Sequence, residues 1–187
     1  MTVQLIKHTV KLYCPYEKWI FKGKLLEIVS DFNYLGTVFN YNGSFSLNQK
    51  TLANKGLRAL NVLLNKTRQY DLKPSVMCDL VDAFVSSTLN YSGEVWGFGK
   101  SKEIERIHLK FCKRFLNVKS STSSNAIYSE LGRYALFINR FVKIIKYWCN
   151  IVSSANIMLT KIYHCLLETS INRNNWVYNV KTLLDTH

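Results

Sequence analysis

The sequence predicts an α+β fold, mostly α: a small N-terminal antiparallel β-sheet over residues 1–43, followed by a helical bundle over residues 44–187. Three observations predict it. Up to Gly43 the chain alternates in hydropathy and is punctuated by Lys-Gly and Asn-Gly, the pattern of short strands and turns. Beyond it, apolar residues recur at helical spacing to the end. The chain also holds 48% hydrophobic residues with only 8 Gly and 2 Pro, so it can build a core and has little material for disorder. Its 187 residues suit one domain, or one with a small appendage.

Val3 to Tyr13 places Ile6, His8, Val10 and Leu12 on one face and Lys7, Thr9 and Lys11 on the other, which predicts a strand ending at Cys14-Pro15. His8 there reads as a packed neutral side chain rather than a ligand. Trp19 to Val29 reads as two short strands around Lys22-Gly23. In Phe32 to Gly43, the run Tyr34-Leu35-Gly36-Thr37-Val38-Phe39 is aromatic and β-branched and suits a pleated surface, with Gly36 marking a bulge or close approach. Asn42-Gly43 predicts the turn that ends the sheet.

Leu47 to Arg68 predicts the first long helix. At ~100° per residue, Leu52, Leu57, Leu60, Leu63 and Leu64 share one broad side, and Lys55, Arg58 and Lys66 a narrow arc on the other. Gly56 weakens that helix or admits a close neighbour. Pro74 fits the first turn of a helix over Ser75 to Leu89, with Val76, Leu80, Val81, Phe84 and Val85 directed to the core. Asp79 and Asp82 lie at i, i+3, without a third ligand to make a metal site. Tyr91 to Gly99 reads as a turn-rich connector with Trp96 as a packing anchor.

Ser101 is an N-cap residue for a helix to about Asn117, with Glu103 and Glu105 in its first turn, where the dipole favours them. Ile104, Ile107, Phe111 and Phe115 form its apolar side; Lys102, Arg106, Lys110 and Lys113 lie opposite within roughly 80°. His108 and Cys112 are at i, i+4, a metal-site spacing, but no second ligand pair accompanies them, and Cys112 reads as a small buried hydrophobe. Ser120 to Asn125 is a polar linker into a helix over Ala126 to Leu131, which Gly132 stops. Ala135 to Val152 is apolar around most of its circumference, with Phe137, Phe141, Ile144, Ile145, Trp148 and Val152 expected in the core and its basic residues on a thin side strip. Leu159–Thr169 and Trp176–Leu184 predict two more helices around Asn172-Arg173-Asn174-Asn175.

Lys and Arg number 25 against 12 Asp and Glu, a net charge of +13, with a pI near 9.6. That balance favours a polyanionic partner, nucleic acid or an anionic membrane surface, with a basic protein of ordinary solvated surface as the alternative. Ser46 to Lys119 holds 13 basic and 6 acidic residues, net +7, so the excess concentrates in the first helices. The opening MTVQLIKHTVKLYC has no apolar run suited to a secretory leader, and Arg140, Lys143 and Lys146 interrupt the most apolar stretch, so no membrane span is expected. Five widely spaced cysteines (Cys14, Cys78, Cys112, Cys149 and Cys165) suit reduced thiols in an intracellular protein, nucleus or cytoplasm unresolved. Neither a G-x-S-x-G elbow nor a G-x-x-x-x-G-K-[ST] loop is present, so hydrolase and P-loop chemistry have no motif to rest on.

The stretch WIFKGKLLEIVSDFNYLGTVF, from Trp19 to Phe39, resembles the end of the palm of non-LTR (LINE-type) retrotransposon reverse transcriptases, where a hairpin precedes an F-x-Y-L-G strand. Tyr91-Ser92-Gly93-Glu94-Val95-Trp96, Phe111 to Val118 and Ile127 to Arg133 resemble segments that follow the palm in that family, in the family's order. The resemblance spans about Trp19 to Val152. It implies that Tyr34, Leu35 and Gly36 belong to a primer-grip-like strand and that the basic helices form a thumb, which holds primer-template by its backbone. The nucleic-acid-binding residues would then be Tyr34, Leu35, Gly36, Lys55, Arg58, Lys66, Arg106, Lys110 and Lys113. Polymerase chemistry needs paired carboxylates holding two metals, Mg in the complete family enzyme. This sequence has no Asp-Asp pair, and its first carboxylate is Glu17. The expectation is a C-terminal fragment of an RNA-directed DNA polymerase that binds RNA/DNA or DNA duplex without catalysing synthesis itself, with no cofactor of its own and a palm-containing chain as a further partner. The alternative is a protein-interaction module or an inactive mobile-element relic.

Overall fold

The structure, a computed structural model, describes residues 4–6, 18–169 and 175–185. Of the strand expected over Val3 to Tyr13, the described part is β1 (Gln4–Ile6); the remainder, with His8 and Cys14, lies outside the described residues, as do Asn172, Arg173 and Asn174. The fold is α+β and mostly α, with short strands first and helices after. The chain divides into two compact units, residues 1–51 and 52–187. The division falls inside the first helix rather than before it.

In the first unit, β2 (Ile20–Phe21) and β3 (Lys24–Leu25) pair antiparallel around Lys22-Gly23, as expected. Lys22 (φ 48°) and Gly23 (φ 74°) are both left-handed, the two-residue turn whose twist suits a hairpin. The parallel pair β1 with β4 (Glu27–Val29) is an additional element that the hairpin signals did not contain. β5 (Asp31–Tyr34) and β6 (Thr37–Asn40) form a second antiparallel hairpin, with Phe32 opposite Phe39.

Here the reading of Tyr34 to Phe39 as one strand is corrected: Leu35-Gly36 is the hairpin turn. Leu35 (φ 48°) and Gly36 (φ 85°) both take left-handed backbone. Glycine adopts it freely and the register on either side compels Leu35 to follow. Asn42-Gly43 does turn the chain, but after β6: Gly43 N–H donates to the Asn40 carbonyl (3.0 Å), and Asn42 Oδ1 accepts the Ser44 N–H (2.8 Å). The first turn of α1 (Ser46–Thr67) belongs with the sheet, because buried Asn48 accepts the Val38 N–H through Oδ1 (3.0 Å).

The second unit begins in α1, where Leu52, Ala53, Gly56 and Leu60 are buried and Leu57, Leu63 and Leu64 half-buried. A Cβ at Gly56 would lie 2.3 Å from Leu89 Cδ2, so this glycine admits a side chain into the helix surface. α2 (Pro74–Val81) starts on Pro74 as expected, passes into a π-helical turn (Asp82–Ser86) and ends as α3 (Ser87–Leu89). Met77, Val81, Val85 and Leu89 are its buried side chains, while Val76 and Phe84 are exposed, against expectation. The wide i→i+5 turn adds a residue to one turn, so the buried face repeats every four residues and Phe84 is rotated out.

A short helical turn α4 (Gly93–Trp96) is entered through left-handed Ser92 (φ 50°). α5 (Lys102–Phe115) follows Ser101; α6 (Ser124–Glu130) stops at Gly132. There Gly132 N–H donates to Ser129 O (3.2 Å) and Arg133 N–H to Tyr128 O (2.8 Å), the paired bonds of a Schellman stop. α7 (Leu136–Val152), α8 (Ile157–Thr169) and α9 (Trp176–Asp185) complete the bundle. Ile144, Val180 and Leu183 form a buried cluster that Phe98, Phe141, Ile145, Trp148 and Trp176 flank. Phe137, Phe141, Ile145 and Trp148 are half-buried rather than central, and Val152 is exposed.

Candidate nucleic-acid interface

The basic arcs lie where helical geometry places them. On α1, the apolar positions Leu52 and Leu60 are almost wholly buried, which turns Lys55, Arg58 and Lys66 outward; all three are exposed. At ~1.5 Å rise per residue the Lys55-to-Lys66 span is about 16 Å. On α5, Ile104, Ile107 and Phe111 are buried, and Arg106 and Lys110 are exposed. The ~6 Å step from Arg106 to Lys110 covers roughly two phosphates of one strand at about 3.4 Å of axis each.

Two cations of that helix are engaged locally. Lys113 is half-buried, and its Nζ donates to the Ser120 carbonyl. Arg106 Nη2 pairs with Glu103 Oε2 at 3.3 Å, on a well-exposed surface where such a pair holds it weakly. Arg114 is exposed on the same flank, about 120° from Lys102, and extends the exposed basic face beyond the arc that the helical count drew. Tyr34, Leu35 and Gly36 sit at the tip of the β5–β6 hairpin in the other unit; Tyr34 is 56% and Leu35 73% exposed. The structure thus groups Lys55, Arg58 and Lys66 on one helix and Arg106 and Lys110 on another, and sets the tripeptide on a turn rather than along a strand.

Behind α5 lies a polar core that sequence reasoning missed. Arg140 was expected on a side strip of α7; it is completely buried. Its guanidinium donates to Glu105 Oε1 (3.1 Å), Asn90 Oδ1 (3.1 Å) and, more weakly, the Gly99 carbonyl (3.5 Å), and lies 5.5 Å from the centre of the Trp96 ring. Trp96 is the packing anchor expected of it, with Nε1 donating to the Tyr91 carbonyl (2.9 Å). Glu105 also accepts the N–H groups of Leu136 (2.9 Å) and Phe137 (2.8 Å), so it caps α7 rather than serving only its own helix. Burial lowers the Arg140 pKa, and the facing Glu105 carboxylate opposes that shift. The one clue in the sequence was an arginine inside an otherwise apolar face, 35 residues from its partner.

On the other side of α5, His108 is buried and stacked on Tyr128 (5.6 Å). Burial first, and then the Arg133 charge, push its pKa down to about 4. Burial pushes the Cys112 thiol up to about 11, and its sulfur lies 4.0 Å from His108 Nε2. Arg133 pairs with Asp82, which also accepts from the Ser86 hydroxyl (3.0 Å). Asp82 is therefore a structural anion. Among the described residues no group of three His, Cys, Asp or Glu side chains could hold a metal ion, and no helix is long and apolar enough to cross a membrane.

Comparison of the chain with protein-family models, curated proteins and solved structures returns no match. The functional reading therefore rests on the residues and their placement.

Proposed function

We propose that the chain binds the sugar–phosphate backbone of duplex or hybrid nucleic acid without sequence preference, as the thumb-like portion of a non-LTR retrotransposon reverse transcriptase, and does not catalyse synthesis itself. The observation that carries this reading is the pair of exposed basic arcs, Lys55, Arg58 and Lys66 on α1 and Arg106 and Lys110 on α5, each set opposite a buried apolar face. Backbone contacts of this kind position a duplex and carry little base information. The ordered sequence resemblance and the concentration of charge over Ser46 to Lys119 support the same reading.

The test is a titration of one duplex at several salt concentrations. Each phosphate contact contributes about −0.9 to the log–log slope on B-DNA. Replacing Arg106, Lys110 and Lys113 by Ala is expected to flatten the slope by about two units, and by up to about three if Lys113 leaves Ser120 for phosphate. Equal slopes for wild type and variant would reduce the arcs to a solvated surface.

A second reading, a protein-interaction module or inactive mobile-element relic, is favoured by α8. That helix fully buries none of its residues and exposes Ile157, Met158 and Ile162. Sedimentation of the purified chain over a range of concentrations separates the two: self-association with no affinity for duplex selects this second reading.

A further inference from the structure

Among the described residues of the first unit, the β2–β3 hairpin carries the most exposed large apolar side chains. Trp19 is 47%, Ile20 67%, Phe21 50% and Leu25 64% exposed. Its register sorts these side chains. Phe21 lies opposite Lys24 and Ile20 opposite Leu25, while Leu26 N–H donates to the Trp19 carbonyl (2.7 Å). Side chains alternate along a strand, so Trp19 and Phe21 share one face with Lys24, and Ile20 and Leu25 share the other. Two residues of strand set their Cα atoms about 6.6 Å apart. Lys22 and Lys24 are exposed, with Lys22 Nζ 5.7 Å from the Phe21 ring centre, whereas the same alternation sets Lys18 and the exposed Glu27 on the Ile20–Leu25 side.

We propose that the Trp19–Phe21 face of this hairpin is a stacking platform for unpaired nucleotides, a single-strand site separate from the basic helix faces. Two exposed rings on one strand face accept two splayed bases, and the lysines around them meet the intervening phosphates. Stacking of bases on aromatic side chains tolerates any sequence, because every base has a π-face. The charge decides the class of partner: an aromatic face that carries Lys24, with Lys22 at the edge of the Phe21 ring, complements a polyanion that carries flat apolar groups. A wholly base-paired duplex offers no free base faces, so this site discriminates against it.

The experiment uses the full chain with unstructured oligo(dT) and oligo(U). Wild type is expected to bind with quenching of Trp19 emission, identified by the loss of that signal in Trp19→Phe. Trp19→Ala and Phe21→Ala are each expected to weaken binding by about fivefold to a hundredfold. Ile20→Ser/Leu25→Ser, which alters the opposite face of the same hairpin, is expected to bind within about twofold of wild type. Arg106→Ala/Lys110→Ala is expected to lose duplex affinity and keep the Trp19 signal, so the site stands or falls apart from the duplex reading. The proposal is overturned if Trp19→Ala/Phe21→Ala binds oligonucleotide as wild type does, or if the full chain binds none at low salt. It is also overturned if the Ile20/Leu25 variant loses as much as the aromatic variant, which would assign the hairpin to a protein partner.

Discussion

Removing the Glu105 carboxylate should unfold a large share of the second unit's stability, although the residue is not itself fully buried. Glu105 does two jobs at once. It neutralises Arg140, which has no exposed surface, through the 3.1 Å ion pair, and it accepts the Leu136 and Phe137 N–H groups at the start of α7. Glu105→Ala leaves the guanidinium with Asn90 Oδ1 and the distant Gly99 carbonyl as its remaining partners. Stranding one member of a buried pair costs about 3–5 kcal/mol. The two freed N–H groups add about 1 kcal/mol of lost capping, less where water reaches them. Against a total of roughly 5–15 kcal/mol for a domain of this size, the variant sits at the edge of folding.

The double variant Glu105→Ala/Arg140→Met separates the two contributions. An uncharged, unbranched side chain at position 140 removes the stranded charge and keeps a stem packed beside Gly93 and Gly97, where a Cβ built at either glycine would meet the Arg140 stem at 3.0–3.2 Å. The double variant should therefore be more stable than Glu105→Ala by about 2 kcal/mol or more. Urea titrations followed by far-UV circular dichroism give both differences, and the cycle gives the coupling. A loss below about 1 kcal/mol for Glu105→Ala, or strictly additive single effects, would refute the reasoning.

His108 makes stability depend on pH. Its folded pKa, about 4, lies below the unfolded value of 6.5, so the unfolded chain binds the extra proton. Stability from this group is whole above about pH 6.5 and is lost as pH falls toward 4, with a slope approaching 1.4 kcal/mol per unit. Denaturant midpoints measured across pH 4–7 should show a flatter profile in His108→Gln than in wild type; parallel profiles would place the titration elsewhere. Gly56→Ala should destabilise by about 1–2 kcal/mol, because the 2.3 Å approach to Leu89 outweighs the roughly 1 kcal/mol gain in helix propensity. Adding Leu89→Val should recover part of that loss, and a stabilised Gly56→Ala single variant would show that the clash relaxes without cost.

What the sequence conveyed and what it concealed follow from the range of each interaction. Helix starts and stops were legible because their signals are local. Pro74 opens α2 and Gly132 closes α6 by φ preferences that act within one turn. The basic arcs were legible for the same reason: the 3.6-residue period fixes which side of α1 and α5 faces water once the leucines and isoleucines choose the core. Lys113 broke the pattern because the Ser120 carbonyl that takes its ammonium lies past the helix end.

The errors lie where a long-range contact outweighs a local preference. Leu35 is a poor turn residue, and no local rule sets it at φ 48°; the cross-strand register of Phe32 with Phe39 does. Phe84 fits a helical core position until the π turn shifts the phase, and the shift lets Val85 and Leu89 follow Val81 inward, with Leu89 seated at Gly56. Arg140 is the clearest case. Its neighbours on α7 predict a snorkelling side chain, whereas Glu105 and Asn90, on other elements, supply the acceptors that make its burial tolerable. The acceptors also fix α7 against α5. The basic arc on α5 is therefore carried by a helix whose other side bonds α7 through Glu105, and a ligand drawn to Arg106 and Lys110 would meet a helix already fixed in the bundle.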